Sequence, residues 1–206
     1  VTFCYKELPH FPSVPKEFWE FNKNENRRHF NSGYDQEYFI NDTKVNPCFY
    51  STYTIDNDNV DLACWLKENI IDFADVYVYQ EQSQGDTHIG HVDIGRAVAL
   101  NYVIDPGGLA VATSWYQQKN KPLLRIKKQG GQLLDEPLQD YKNYYDSLTK
   151  IESQIFKPHT WYLLNVQIIH DVQNLTGVRK SISIGVKTDT YKNNQERFHN
   201  LLKETK

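Results

Sequence analysis

Between residues 49 and 187 the chain breaks repeatedly into short runs of aromatic and β-branched residues, and this rhythm limits its fold more than any other feature. The runs are 49–55 (FYSTYTI), 76–80 (VYVYQ), 97–104, 110–117 (AVATSWYQ), 123–127, 161–172 (WYLLNVQIIHDV) and 179–186 (RKSISIGV). Turn signals separate them, among them Asp105-Pro-Gly-Gly108, Gly130-Gly131 and the 174–177 segment. About eight to ten short strands with helices outside them predict a β-sandwich or jelly roll with helical support.

Four helices are predicted beside the strands. Ser13 caps a short one through Phe18, Trp19 and Phe21, with Pro15 in its first turn. Asp58 or Asn59 caps a second, whose Leu62, Leu66, Ile70 and Phe73 fall at helical spacing. A third is expected over 138–156, where Leu138, Tyr141, Tyr145, Leu148, Ile151 and Ile155 make one stripe between Pro137 and Pro158. Asn193 or Asn194 caps a last one using Phe198, Leu201 and Leu202.

At 206 residues the chain can bury one sizeable core, and a single domain over 1–206 is expected. Net charge of -3 and a pI near 6.2 argue against long nucleic acid as a partner. Cys4, Cys48 and Cys64 are odd in number and form no C-x-x-C, so neither a zinc knuckle nor a disulfide framework is indicated. A reducing, cytoplasmic setting follows as an expectation. The first residues lack the regions of a signal peptide, and no apolar run is long enough to span a membrane. The N-x-T triplets at Asn41 and Asn174 read as chance in such a setting.

The chemistry concentrates at 88–102 (HIGHVDIGRAVALNY). His91 and Asp93 are two apart, so on a strand they project from one face. Imidazole plus carboxylate is half of a 2-His-1-carboxylate iron site. His170, on a distant strand run, supplies the third ligand and leaves open positions, unlike a structural zinc site. Arg179 opens the next run, and Arg179, Ser181 and Ser183 share one of its faces. A guanidinium and a hydroxyl facing a barrel interior call for an anion, and a carboxylate suits them.

Read in order, His91-x-Asp93, His170 and Arg179-x-Ser181 resemble the Fe(II)/2-oxoglutarate-dependent oxygenase superfamily. The resemblance runs from about His88 to Val186. The segment HVDIGRAVALNY also resembles the subgroup related to aspartyl/asparaginyl β-hydroxylases and their small phage and marine-bacterial relatives. The resemblance implies a mainly β fold with flanking helices, a double-stranded β-helix (jelly roll, cupin-like). Its core would span about 49–187, with N- and C-terminal helical and loop additions. It implies Fe(II) on His91, Asp93 and His170, 2-oxoglutarate as co-substrate with its far carboxylate on Arg179 and Ser181, and O2. The implied reaction is hydroxylation of an unidentified substrate, a small molecule or protein side chain, with release of succinate and CO2. No catalytic residue beyond the metal ligands is required.

Asn101 or Tyr102 is expected against the co-substrate, and parity with Asp93 favours Asn101 if no bulge intervenes. Arg96 points to solvent or substrate. Trp115 and Tyr116 are core by type and otherwise the candidate substrate platform. His88, three positions from His91, faces the other way on a continuous strand, and Asp171 points away from His170 toward the surface. Residues 1–48 match no motif, and the basic 119–128 segment (KNKPLLRIKK) reads as a solvated hairpin. Two alternatives stand beside the oxygenase: a metal-dependent cupin that does not use 2-oxoglutarate, and a non-catalytic jelly-roll binding or structural protein. The cupin would usually carry His-x-His, where this chain has His-x-Asp.

Overall fold

Residues Arg96–Asp105 (RAVALNYVID) form the strand that the sheets are built around, and it is buried on both faces. A run this apolar, ended by Asp-Pro-Gly-Gly, is what a doubly covered strand requires. In the computed structural model the described residues are 3–19, 30–31, 38–40, 43–45, 50–55, 59–82, 90, 92–93, 95–119, 125–129, 132–136, 146 and 148–203. In chain order their strands are β1 (Tyr5–Glu7), β2 (Phe30–Asn31), β3 (Tyr38–Ile40), β4 (Thr43–Val45), β5 (Tyr50–Thr54), β6 (Val76–Gln82), β7 (Val92–Asp93) and β8 (Arg96–Asp105). They continue as β9 (Ala112–Gln118), β10 (Arg125–Gln129), β11 (Gln132–Glu136), β12 (Leu148–Ile155), β13 (Thr160–Leu164), β14 (Ile169–Gln173) and β15 (Arg179–Lys187). The helices are α1 (Lys16–Trp19), α2 (Val60–Asn69), α3 (Thr188–Asn193) and α4 (Gln195–Lys203).

A seven-stranded sheet has the order β1-β13-β8-β15-β6-β5-β2, and a three-stranded one β12-β9-β14. A second three-stranded sheet runs β10-β11-β7, and β3-β4 form a hairpin. All these pairings are antiparallel. The chain alternates between layers: β8 and β13 lie in the large sheet, β9, β12 and β14 in the small one, and β15 returns to the large sheet between β8 and β6.

Side-chain alternation divides the core in two. Val98, Leu100, Tyr102 and Ile104 of β8 join Tyr77, Tyr79, Trp161, Leu163, Ile182, Ile184 and Val186 against the helical layer. There Leu62, Ala63 and Leu66 of α2 and Phe198 of α4 close the packing. Asn59 caps α2 by accepting from the Leu62 N–H at 3.0 Å, as its spacing predicts. The opposite face of β8 presents Ala99 and Val103 to Trp115, Phe156, Tyr162, Leu164 and Val166 between the sheets.

Two predicted elements are corrected. Residues 148–155 are an edge strand, not the end of a helix, and 137–145 lie outside the described residues. A register shift between Lys150 and Glu152 breaks the period of two, and an outer face in solvent leaves Ile151 and Ile155 exposed. Their helical spacing was therefore coincidental. Residues 161–172 are two strands, because the chain turns from one sheet to the other at 165–168. The Asn165 side chain holds that turn, accepting from the Gln167 N–H at 3.1 Å and donating to the Phe3 carbonyl at 3.1 Å. No helix among the described residues is long and apolar enough to cross a membrane.

Candidate metal and co-substrate site

Asp93 ends the two-residue strand β7. Its backbone N–H donates to the Val166 carbonyl at 2.9 Å, which ties β7 to the turn that starts β14. Four residues further on, His170 pairs across from Trp115 on the small sheet. Trp115 belongs to the core between the sheets, so His170 faces the same interior. The His170 Nδ1 lies 2.9 Å from the Ile168 carbonyl. A carbonyl can only accept, so Nδ1 carries the proton and Nε2 the lone pair, the tautomer of a metal-ligating imidazole. His91 and His88 lie outside the described residues, and among the described residues no three metal-capable side chains are grouped.

Arg179, buried at 6% exposure, crosses the interior from the large sheet. Its Nη1 donates to the Thr113 hydroxyl at 3.3 Å, and its guanidinium lies over the Phe156 ring. Thr113 shares a face of β9 with Trp115, the partner of His170. One two-residue step, roughly 7 Å along a strand, thus separates the rung that meets Arg179 from the rung of His170. Ser181 and Ser183, both buried, continue the face of Arg179 along β15.

Asn101 pairs with Ser183 on one side and Tyr162 on the other. It lies on the interior face of β8 with Ala99 and Val103. Its Oδ1 is buried with no partner among the described residues. Such an orphan acceptor is rare in a folded interior. Tyr162 also faces inward. Burial pushes its phenol up, against the Lys157 backbone N–H that donates to it at 2.9 Å.

Several predicted site residues are placed elsewhere. Tyr102 is one position off Asn101 and faces the helical layer, where burial raises its phenol pKa and contacts with Ser13 and Val14 partly offset the rise. It does not reach the interior. Trp115 is fully buried, stacked on Tyr5 at 5.5 Å with Nε1 donating to the Asn165 carbonyl, and offers no substrate platform. Tyr116 points to the other face of β9, where its hydroxyl donates to Asp171. Asp171 does point away from His170, but it is fully buried rather than at the surface. Arg96 turns to Asp93, with Nη1 3.4 Å from Oδ2.

Sequence reasoning missed Thr113 and the orphaned carbonyl of Asn101. The parity of Thr113 with Trp115 could have placed it inward. Its meeting with Arg179 depends on how the two sheets face each other, which no local pattern states.

A carboxylate at Asp93, whose backbone is tied to the turn before β14, and an imidazole at His170 that faces the interior of the buried Arg179 guanidinium are donor types that a ferrous ion takes. No protein-family model and no curated protein sequence matches the chain. Among solved structures, the chain is similar to the non-heme α-ketoglutarate-dependent carbocyclase SnoK from nogalamycin biosynthesis. Identity is 8% and the TM-score 0.52, over 88% of this chain and 78% of that one. It also aligns with E. coli ycfD at 12% identity and TM-score 0.43, over 71% of this chain but only 35% of that one. The chain thus spans about a third of the length of that second protein. The similarity to SnoK shows a shared β-rich fold.

Proposed function

We propose that the chain is an Fe(II)- and 2-oxoglutarate-dependent oxygenase with a double-stranded β-helix core, hydroxylating a small molecule or a protein side chain. The observation that supports it best is the interior between the sheets, which His170 enters from β14 and Arg179 from β15, with the backbone of Asp93 tied to the turn that starts β14. His91, Asp93 and His170 would hold the metal. Arg179 and Ser181 would take the distal carboxylate of the co-substrate, a two-point pairing that fixes its direction. The roughly 7 Å step between the Arg179 and His170 rungs suits a short extended dicarboxylate. Asn101 would accept from a donor group in the same interior, Phe156 would fix the guanidinium from below, and the tight core between the sheets would exclude bulk water. When bound, ferrous iron with 2-oxoglutarate and O2 supplies oxidation of an unactivated C–H bond, with release of succinate and CO2.

A purely structural β-fold would fill this interior with apolar groups. A buried guanidinium and an orphaned amide oxygen favour a ligand instead. The test is anaerobic addition of Fe(II) and 2-oxoglutarate to the protein. A visible metal-to-ligand charge-transfer band is expected, and Arg179→Ala should weaken co-substrate affinity at least tenfold. Absence of the band, or an unchanged affinity in Arg179→Ala, rules the reading out.

A further inference from the structure

Arg96 should not reach Asp93 by ordinary alternation. On an unbroken strand it would share the face of Val98, which packs against the helices. Three features of the chain redirect it. The register between β8 and β15 shifts between Val186↔Val98 and Lys187↔Arg96, so the bulge at Ala97 turns Arg96 to the opposite face. Gly95, at φ +75°, makes the tight return from β7 into β8, and its carbonyl accepts from the Thr188 N–H at 2.9 Å. Finally, Gly185 of β15 leaves a notch. A Cβ there would stand 2.9 Å from Arg96 Nε, 3.1 Å from Arg96 Cζ and 2.7 Å from Val76 Cγ1. The guanidinium thus lies across a glycine floor with its Nη1 3.4 Å from the Asp93 carboxylate.

Neither member of this pair is a free surface charge. Arg96 and Asp93 have side chains 28% and 18% exposed. Bulge, left-handed turn and notch all serve one placement, which an incidental surface pair would not need.

We propose that Arg96 is the positioning residue of the Asp93 carboxylate: seated on Gly185, it engages one carboxylate oxygen and so presents Asp93 to the metal in a fixed orientation. This rests on the assignment of Asp93 as a metal ligand. Orienting partners of ligating side chains typically contribute 10- to 100-fold to metal affinity. The seat is specific to a planar guanidinium, which a lysine ammonium reproduces only in part.

The test titrates Mn(II) into the full chain without co-substrate, read by the electron paramagnetic resonance of free and bound ion, with Co(II) absorption reporting coordination. Asp93→Ala should lose the site. Arg96→Ala should bind Mn(II) about 10- to 100-fold more weakly, with an altered Co(II) spectrum and an unchanged melting temperature. Arg96→Lys should recover part of the affinity. Gly185→Ala, which displaces the guanidinium, should reproduce Arg96→Ala and add nothing to it in the double variant. If Asp93→Ala loses the metal while Arg96→Ala keeps full affinity and spectrum, the positioning role is wrong and the ligand assignment stands. If Asp93→Ala itself binds as tightly as the parent, the ligand assignment falls and this inference with it. Should Gly185→Ala fail to fold, the Arg96→Ala and Arg96→Lys pair still decides.

Discussion

The guanidinium of Arg179, rooted in the large sheet, donates to the Thr113 hydroxyl of the small sheet at 3.3 Å. The contact joins the two layers across the interior. It also orients the fork, since the Phe156 ring beneath it offers a face but no acceptor.

Thr113→Val keeps the shape of the side chain and removes the hydroxyl. A hydrogen bond of this kind contributes about 0.5–1.5 kcal/mol net, so 2-oxoglutarate should bind roughly two- to tenfold more weakly with little change in fold. Calorimetric titration of the metal-loaded protein measures this. Unchanged affinity would mean that Thr113 does not help to orient Arg179 for the ligand.

Asn101→Leu separates binding from stability. The buried Oδ1 has no partner among the described residues, and an orphan acceptor costs about 1–3 kcal/mol. The ligand-free variant should therefore hold or gain stability, while the thermal shift produced by Mn(II) plus 2-oxoglutarate shrinks. Melting curves with and without ligands give both quantities. A variant that melts lower but keeps the full ligand shift would show Asn101 to be structural.

How far these placements could be read from sequence depends on whether they are local. The Asn59 cap, Leu62 and Leu66 of α2, and β8 and β15 follow from neighbours within a few residues and stand where spacing puts them, whereas α2 ends at Asn69, before Ile70 and Phe73 of the predicted stripe. Asn101 faces inward with its own neighbours Ala99 and Val103, not by parity with Asp93, because the bulge at Ala97 lies between the two and breaks that count; Tyr102, one position on, faces the helices. The 138–156 stripe misled because Leu148, Ile151 and Ile155 mimic a helical period on a bulged edge strand. The course of Arg96 was illegible for a related reason: the bulge at Ala97 reverses its parity, and the notch that receives it belongs to Gly185, 89 positions away in sequence. His91 and His88 lie outside the described residues, so the first half of the His-x-Asp pair remains a proposal.

Alkaline pH should destabilise the fold. Burial raises the pKa of Tyr102 and Tyr162 above the usual tyrosine value of about 10. A phenol whose folded pKa is raised gives its full stabilisation below the unfolded value. That contribution is lost as pH climbs from about 10 through the folded pKa, because the unfolded chain releases the proton first. Denaturation midpoints should hold steady, as far as these two groups are concerned, up to about pH 9 and then drop, with a smaller drop in Tyr162→Phe. Midpoints independent of pH across that window would contradict the burial of these phenols.

The two faces of the small sheet should separate function from stability. His170 looks into the interior, while the next residue, Asp171, is fully buried on the far side and accepts from the Tyr116 hydroxyl at 3.0 Å and from the Gln173 amide at 3.0 Å. Tyr116→Phe removes one donor from a buried carboxylate, at a cost of about 1–3 kcal/mol. It should lower the melting temperature and leave Mn(II) affinity as it was. His170→Ala should do the reverse: it should lose the metal, with a smaller drop in melting temperature than Tyr116→Phe in metal-free buffer. Thermal melts and metal titrations on both variants check this together. If Tyr116→Phe weakened metal binding as much as His170→Ala, the two faces would not be independent, and β14 would act as one coupled unit rather than as a partition between core and site.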